Sequence, residues 1–381
     1  MILLGHPMHR MPLFSLDFPR ITQYNRNIFM KGARDMDLPS SIFSGYFGAC
    51  HCQGIAVDAK NGYVYYSFTT KLVKTDLVGN LIGSVEGLIG HLGCIDLCEL
   101  DGRVYGSLEY KNDAIGKGIL RHLDMADKQI ENAFYCAIFD VARIDRPGMD
   151  AEKDGVMRAV YLPEVVADFE ATVELNGKEL AHKYACSGID GTAWGPKFGT
   201  RDGKQMLHIC YGVYGDVTRT DNDYQVMLSF DAADWWDTVA HPLYQEHMHQ
   251  SGVYSVGKYF LYTGNTNWGV QNLEYDAHTG NWLVAVYPGK KPQFENDSMF
   301  VIDGMRAPEQ GVHDAYGEKI SLLHLCGKSH FPHGSTGMCA MGDGKYYFSE
   351  AGRDPERGQY TCVTLWRGTQ DADKPFERIE T

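Results

Sequence analysis

Short apolar runs that alternate with polar residues and end at glycine turns recur along the 381-residue chain. The clearest is QGIAVDAKNGYVYYSF from Gln53, in which two runs flank an Asn-Gly pair. Alternation with a period of two predicts β-strands, and Asn-Gly between two such runs predicts a tight hairpin turn. Related copies begin at Leu92, Ser187, Ser251 and Thr336. The pattern therefore predicts an all-β chain.

The copies recur at a spacing typical of propeller blades. With weaker copies at Cys136 and Phe300, the repeats start near residues 54, 93, 137, 188, 252, 300 and 337. A four-stranded blade takes about 40–50 residues. Seven starts predict a single β-propeller domain over residues 1–381 with seven blades, or six if the copy at Phe300 is an outer hairpin. Residues 1–45 are expected to wrap the outside or to supply a strand that closes the last blade.

Charge and composition narrow the choice of partner. The net charge is −14 at pH 7, the pI is near 5.5, and the sequence has no run of basic residues. Nucleic-acid binding needs a basic surface, so we expect no nucleic-acid partner. No stretch approaches the ~20 apolar residues of a membrane span, and the initial MILLGHPMHRMPLF does not match a signal peptide. We expect a cytoplasmic protein, or a secreted or periplasmic one if a signal peptide was removed.

Candidate functional residues lie where the repeats begin. The first strand of a blade lines the propeller axis, so residues at the start of each repeat converge on one face. These positions carry mainly histidine, amide and carboxyl side chains: His51, Gln53, His91, Asp190, His247, His249, Gln250 and His333. Neutral imidazoles in one place suit either acid–base chemistry near neutral pH or a divalent metal ion.

The segment QEHMHQS from Gln245 holds the densest group of histidines. On a strand, His247 and His249 face the same side and could reach one metal ion or one substrate. Since no carboxylate is evident beside them, acid–base chemistry or substrate contact is favoured slightly over a metal. A divalent metal stays open as the cofactor, which the sequence does not otherwise identify.

Aromatic, amide and basic residues near the same strands suit a sugar ligand. Tyr110, Tyr211 and Trp268 offer flat faces for sugar rings, and Asn265 can bind hydroxyl groups. An acidic sugar also needs a cation for its carboxylate, and arginine binds carboxylates in two-pronged fashion. Arg143 and Arg353 are the basic residues that we expect to face the axis. A small molecule or an oligosaccharide is therefore the expected partner, and the oligomeric state is left open.

The repeat, the HCQG segment at His51 and the histidines at His91, His249 and His333 resemble propeller enzymes that act on uronic-acid oligosaccharides. These families are the oligogalacturonate lyases, the ulvan lyases and the enzymes that cleave rhamnose from glucuronic acid by lyase or hydrolase chemistry. The resemblance implies β-elimination, with His51 or His249 as base, Tyr211 as acid and Arg143 as carboxylate clamp.

Three alternatives stay open at the level of the sequence. The first is a glycoside hydrolase that acts on the same class of substrate. The second is a lactonase-like metal propeller, for which Glu109, Asp190 and Asp303 are candidate ligands. The third is a propeller without enzymatic activity that binds a partner protein on its top face.

Overall fold

β-Strands dominate the computed structural model, which describes residues 38–48, 50–243, 249 and 252–380. In these ranges three short α-helices connect the strands: α1 (Ala114–His122), α2 (Pro163–Glu170) and α3 (Trp235–Thr238). Two 3₁₀ turns of the same ranges lie at Val141–Arg143 and Lys183–Ala185. None of the helices in the described residues is long and apolar enough to cross a membrane.

Within these residues the strands form five antiparallel blades, numbered here along the chain. Blade 1 consists of β2 (Gly54–Asp58), β3 (Tyr63–Phe68), β4 (Lys71–Asp76) and β5 (Leu81–Glu86), with β9 (Met149–Asp150) added parallel to β5. Blade 2 consists of β6 (His91–Cys98), β7 (Arg103–Tyr110), β8 (Ala133–Phe139) and β10 (Met157–Tyr161). A separate hairpin of β11 (Thr172–Leu175) and β12 (Lys178–Ala181) follows blade 2.

The remaining three blades carry extensions at their outer edges. Blade 3 consists of β13 (Cys186–Pro196), β14 (Gln205–Val213), β15 (Tyr224–Phe230) and β16 (Gly257–Tyr262), extended by β21 (Lys319–Leu322) and β20 (Glu309–Val312). Blade 4 consists of β17 (Thr266–Asp276), β18 (Asn281–Pro288), β19 (Met299–Ile302) and β22 (Leu325–Ser329). Blade 5 consists of β23 (Met338–Ala340), β24 (Lys345–Asp354), β25 (Gly358–Gly368) and β1 (Ser41–Phe43), with β26 (Phe376–Arg378) also on β25.

The innermost strands of the blades close into a ring. β2 packs against β6, β6 against β13, β13 against β17, β17 against β23, and β23 back against β2. Each pair of neighbouring blades encloses its own apolar cluster, so the core of the described residues is divided among five blade interfaces. The last blade takes its outer strand from the other end of the chain, because β1 pairs antiparallel with β25.

The predicted β-propeller is confirmed, but both predicted blade counts, seven and six, are wrong. The copy near residue 137 is β8 and the copy near residue 300 is β19, each the third strand of a blade, while the copy near 252 leads into the fourth strand, β16. β8 (AFYCAIF) and β19 (MFVI) are apolar runs that end at turns, and they therefore resemble a first strand such as β2, which is also buried on both faces. Conversely, no repeat start was predicted near Thr266, where the inner strand β17 begins.

Two buried carboxyl groups on inner strands interact electrostatically. Burial, and then the charge of Glu99, raise the pKa of Asp96 on β6 to about 7. Burial together with Asp96 raises the pKa of Glu274 on β17 well above its usual range. Two like charges in a site of low dielectric cannot both ionise readily. The two carboxyls therefore share protons at neutral pH, with the Cys339 thiol beside them also kept protonated, since burial raises its pKa.

Asp96 binds a proton more tightly in the folded chain than in the unfolded one, so its contribution to the free energy of unfolding should fall as the pH rises from about 4 to about 7. Glu274→Gln removes one of the charges and keeps an oxygen to accept the hydrogen bond from the Ala340 amide, which is 2.7 Å long. Urea unfolding should find this variant more stable than the parent by about 1–3 kcal/mol at alkaline pH, with a smaller difference in acid. Exposed Glu356→Gln is the control. An equal difference between variant and parent in acid and in alkali would contradict proton sharing.

Candidate active site

A cavity of about 430 Å³ lies at the end of the axis where the inner strands begin. Blades 1 to 4 and helix α1 provide its walls. The polar and aromatic side chains that line it are Cys50, His51, Gln53, Thr69, His91, Glu109, Lys111, His122, Ser187, Asp190, Trp268, Gln271 and Tyr287. Ala114, Ile115, Gly118, Ile119, Ile189 and Gly212 supply its apolar surface.

Hairpin geometry explains why residues distant in sequence meet in this cavity. In an antiparallel hairpin the second strand ends where the first begins, so both termini reach the same face of the propeller. In blade 2, His91 at the start of β6 is paired with Glu109 near the end of β7. In blade 4, Asn267 at the start of β17 is paired with Tyr287 near the end of β18. The cavity is therefore lined from two positions in each hairpin.

Two imidazoles lie on the blade 1 and blade 2 side of the cavity. His51 lies at the rim, where its Nε2 is 3.1 Å from the side-chain nitrogen of Gln53, and partial desolvation lowers its pKa. His91 lies deeper, with a side chain that is 12% exposed. Burial, with Lys111 and His51 nearby, lowers the pKa of His91 to about 3. Both rings are therefore neutral at neutral pH.

An ion pair forms the wall next to His91. Lys111 Nζ lies 2.5 Å from Oε1 of Glu109, and the two side chains are 4% and 5% exposed. The second carboxylate oxygen of Glu109 accepts a hydrogen bond of 3.1 Å from the Ile189 amide, and Lys111 donates one of 2.8 Å to the Ser187 carbonyl. Burial opposes the charge on Lys111, but Glu109 and Asp113 outweigh it and raise the pKa of the ammonium group. Both groups are thus charged, and the positive charge of Lys111 balances the negative charge of Glu109.

Asp190 supplies a protonated carboxyl group at the base of the cavity. Burial, with Glu109 nearby, raises its pKa well above the usual range. The Cys94 amide donates a hydrogen bond of 3.2 Å to Oδ1, and Gln271 is a further hydrogen-bond partner. These bonds favour the ionised form but do not offset the loss of hydration. Asp190 is accordingly a hydrogen-bond donor at neutral pH.

A bulge in β17 aims Trp268 into the cavity. The pairing between β17 and β18 shifts register between Asn267 and Val270, and Trp268 and Gly269 have φ angles of 70° and 71°. A side chain at Gly269 would place its Cβ 2.5 Å from the Val213 amide nitrogen, so only glycine fits there. Left-handed backbone at a tryptophan is strained, and such strain is common at ligand sites. The bulge is therefore a structural device that presents the indole ring.

Helix α1 forms one side of the cavity. Asp113 caps its N-terminus by accepting a hydrogen bond of 2.9 Å from the Gly116 amide, and Arg121 and His122 occupy the last turn, where cations are favoured. Ile119 is buried and also lines the cavity. The helix is inserted between β7 and β8 of blade 2, and its Leu120 packs in the apolar cluster between blades 1 and 2.

Five of the residues singled out from the sequence lie together at this cavity: His51, Gln53, His91, Asp190 and Trp268. His247 and Gln250 lie outside the described residues. His249 lies on the outer side of blade 2, stacked on Tyr161 at 4.4 Å between ring centroids, with Nε2 2.6 Å from the Tyr135 hydroxyl. It leads into a fourth strand rather than an inner one, which is why it is not at the axis.

The other candidates also lie away from the cavity. Tyr211 is fully buried and its hydroxyl donates to Asp168 over 2.8 Å. Arg143 donates to the backbone carbonyls of Asp154 and Gly155, over 3.1 and 2.8 Å, because its segment follows a third strand and not a first. Three of the remaining candidates make contacts within the blades. Tyr110 packs on Tyr135, the Asn265 side chain accepts a hydrogen bond from the Lys290 amide, and His333 packs on Phe331 and Trp366. Arg353 is exposed.

The sequence did not single out Lys111 or Tyr287 for this site. Glu109 was considered only as one of several carboxylates. A usable signal was present, since Glu109, Lys111 and Tyr287 stand at or just beyond the ends of second strands. Examining both termini of each hairpin would have found them.

A metal site is not evident in the described part of the chain, where no group of three or more His, Cys, Asp or Glu side chains could hold a metal ion. Of the proposed pair, His249 faces Tyr135 and Tyr161, and His247 is not described. Asp303, a candidate ligand of the lactonase-like alternative, accepts hydrogen bonds from the Met305 and Arg306 amides at a turn.

Comparison with known proteins leaves the family open. No protein-family model matches the sequence, and no curated protein does. Similar solved structures include the Dos1 propeller (9% identity, TM-score 0.34, 89% of this chain and 63% of that one). A luciferin-regenerating enzyme is another, with 13% identity and a TM-score of 0.34 over 86% of this chain and 96% of that one. The soluble aldose sugar dehydrogenase of Escherichia coli has 10% identity and a TM-score of 0.35 over 85% of this chain and 98% of that one. The chain thus spans less than two thirds of the Dos1 structure. At these identities the function of a neighbour does not transfer.

Proposed function

We propose that the protein is a carbohydrate-active enzyme that binds a uronic-acid-containing oligosaccharide in the axial cavity and cleaves it by β-elimination. The observation that carries this proposal is the charge state of the cavity. His51 and His91 are neutral, Asp190 is protonated, and Glu109 is compensated by Lys111. The cavity therefore offers hydrogen-bond donors and no uncompensated negative charge, which suits a ligand that carries one carboxylate.

In the proposed reaction a base removes the proton at C5 of the uronate, and a double bond forms between C4 and C5. The bond from C4 to the leaving oxygen breaks, and that oxygen takes a proton from an acid. His51 is assigned as the base because its lowered pKa keeps the ring neutral. The Gln53 amide donates to its Nε2 over 3.1 Å, so this bond must open before Nε2 takes the C5 proton. Tyr287 is assigned as the acid, since burial and Asp190 raise its pKa to about 12 and keep the hydroxyl protonated.

The substrate carboxylate needs its charge offset before the C5 proton becomes acidic. Asp190 and Gln271 are assigned to this task as hydrogen-bond donors at the base of the cavity, in a setting of low dielectric where such bonds are strong. Arg143 and Tyr211 are not assigned catalytic roles, because their polar groups are engaged elsewhere. Trp268 is assigned to pack on a sugar ring.

Hydrolysis is the second candidate, because two carboxyl groups line the same cavity. Glycoside hydrolases pair a protonated carboxyl with an ionised one, and Asp190 and Glu109 have those charge states. Elimination is preferred since both oxygens of Glu109 are already bound, one by Lys111 and the other by the Ile189 amide. Both contacts stabilise the ionised carboxylate and so weaken it as a nucleophile or general base.

The test is to incubate the protein with glucuronate- and galacturonate-containing oligosaccharides while recording reducing ends and ultraviolet absorbance. Elimination produces both new reducing ends and the absorbance of an unsaturated uronate. Hydrolysis produces new reducing ends alone and would replace elimination by the second candidate. Absence of cleavage across a panel of acidic oligosaccharides would overturn both.

A further inference from the structure

We propose that a row of three rings, Trp268, Tyr214 and His182, is a second sugar-binding subsite that continues the axial cavity outward. The inference rests on the proposed carbohydrate substrate and specifies its length. One sugar residue would occupy the cavity, and the next would pack on the Tyr214 ring. The ligand is therefore an oligosaccharide of at least two residues and not a monosaccharide.

The three rings form a continuous path that starts in the cavity. Trp268 lines the cavity, and the Tyr214 ring centroid lies 5.7 Å from the Trp268 ring at an interplanar angle of 62°. The His182 ring follows, 5.2 Å from Tyr214 and inclined at 44°. All three side chains are partly exposed. Aromatic side chains with one face accessible beside a polar cavity are suited to pack on the apolar face of a sugar ring.

Tyr214 is held in place by hydrogen bonds and by packing on the apolar cluster between blades 2 and 3, and its side chain stays partly exposed. Its hydroxyl donates to Oδ2 of Asp113 over 3.3 Å, and its backbone carbonyl accepts a bond of 2.9 Å from the Asn222 side chain. Asp113 is also the N-cap of α1, so the ring is tied to the helix that lines the cavity. A ring fixed before binding loses little conformational entropy when the ligand arrives.

The outer ring of the row is held by a strained backbone. His182 has a φ of 68°, in the left-handed region that non-glycine residues avoid. Arg219, which is 9% exposed, donates to the carbonyls of Ala181 and His182 over 2.7 and 2.8 Å. Arg219 is itself paired with buried Asp221 at 2.8 Å. This buried support, with the Phe169 ring 4.5 Å from the imidazole, keeps His182 beside Tyr214.

The experiment is calorimetric titration of the intact protein with a uronate monosaccharide, disaccharide and trisaccharide of one series. Tyr214→Ala is expected to weaken binding of the disaccharide and trisaccharide about tenfold, with the monosaccharide unchanged. Tyr214→Phe keeps the ring and should stay close to the parent. His182→Asn, in which asparagine tolerates the left-handed backbone, serves as a second variant if Tyr214→Ala does not fold, and it should weaken the trisaccharide.

Tyr254→Ala is the matched control, because Tyr254 is a 70% exposed tyrosine outside the row. Equal loss for all three ligand lengths, or no loss for any, would overturn the subsite. Absence of oligosaccharide binding to the parent protein would also overturn it. Length-dependent binding without any unsaturated product would support the subsite and contradict only the proposed elimination. The subsite and the elimination are therefore tested separately.

Discussion

His51→Gln is expected to lower kcat for elimination by about 10²- to 10⁴-fold, the usual contribution of a general base. Glutamine approximates the length of the ring and can still contact Gln53, which lies 3.1 Å from the His51 nitrogen in the parent. It has no lone pair of comparable basicity, so proton removal from C5 is lost while substrate contacts are kept. The measurement is the rate of unsaturated product formation at saturating substrate, with the unfolding curve recorded in parallel.

The pH profile of the parent provides an independent check on His51. Desolvation lowers the pKa of this ring, and a base works only when unprotonated. The rate should therefore stay constant down to the ordinary histidine pKa of 6.5 and fall only below it. His249→Gln is the informative comparison, because His249 faces Tyr135 and Tyr161 and should leave the rate unchanged. A loss in His249→Gln equal to that in His51→Gln would contradict the assignment.

Lys111→Met is expected to lower the free energy of unfolding by about 3–5 kcal/mol at neutral pH, because it leaves Glu109 as an uncompensated buried charge. Burial already raises the pKa of Glu109, and removing Lys111 should raise it further. The stability of Lys111→Met should therefore fall as the pH rises through the pKa of Glu109, and the loss should be smaller in acid, where Glu109 is protonated. Urea unfolding at several pH values measures both effects. Combining Lys111→Met with Glu109→Gln should recover most of the loss.

The exposed pair of Asp343 and Lys345 is the matched control for this cycle. It has the same spacing of two residues as Glu109 and Lys111, and its ion pair spans 2.8 Å with side chains that are 50% and 32% exposed. Lys345→Met should change stability by less than about 1 kcal/mol. Equal effects of the two lysine substitutions would mean that burial does not set the strength of the Glu109–Lys111 pair.

The fold could be predicted from sequence at the level of the blade but not of the blade number. Alternation and glycine turns identify strands, and they identified the inner strands that begin near residues 54, 93, 188 and 337. They cannot tell an inner strand from a third strand such as β8 or β19, because both are buried on two faces. Insertions such as α1 also lengthen individual blades and remove the regular period.

The candidate site was predictable in part because the start of an inner strand marks one face of the propeller. That argument selected His51, His91 and Asp190, which line one cavity. It failed at His249, which precedes an outer strand and stacks on Tyr161. It also failed at His333, which lies off the axis against Trp366. No sequence pattern signals that burial keeps Asp190 protonated, since that depends on three-dimensional packing.

The pairing of β1 with β25 has a consequence for synthesis of the chain. A segment translated early, Ser41–Phe43, completes a sheet whose other strands follow those of the other four blades along the chain. The ring therefore closes only after Gly358–Gly368 has been synthesised, and until then blades 1 and 4 each have one face without a neighbour. Protein that terminates before Gly358 would keep four blades with two unsealed interfaces. Such fragments would expose apolar surface, which favours aggregation and binding by chaperones.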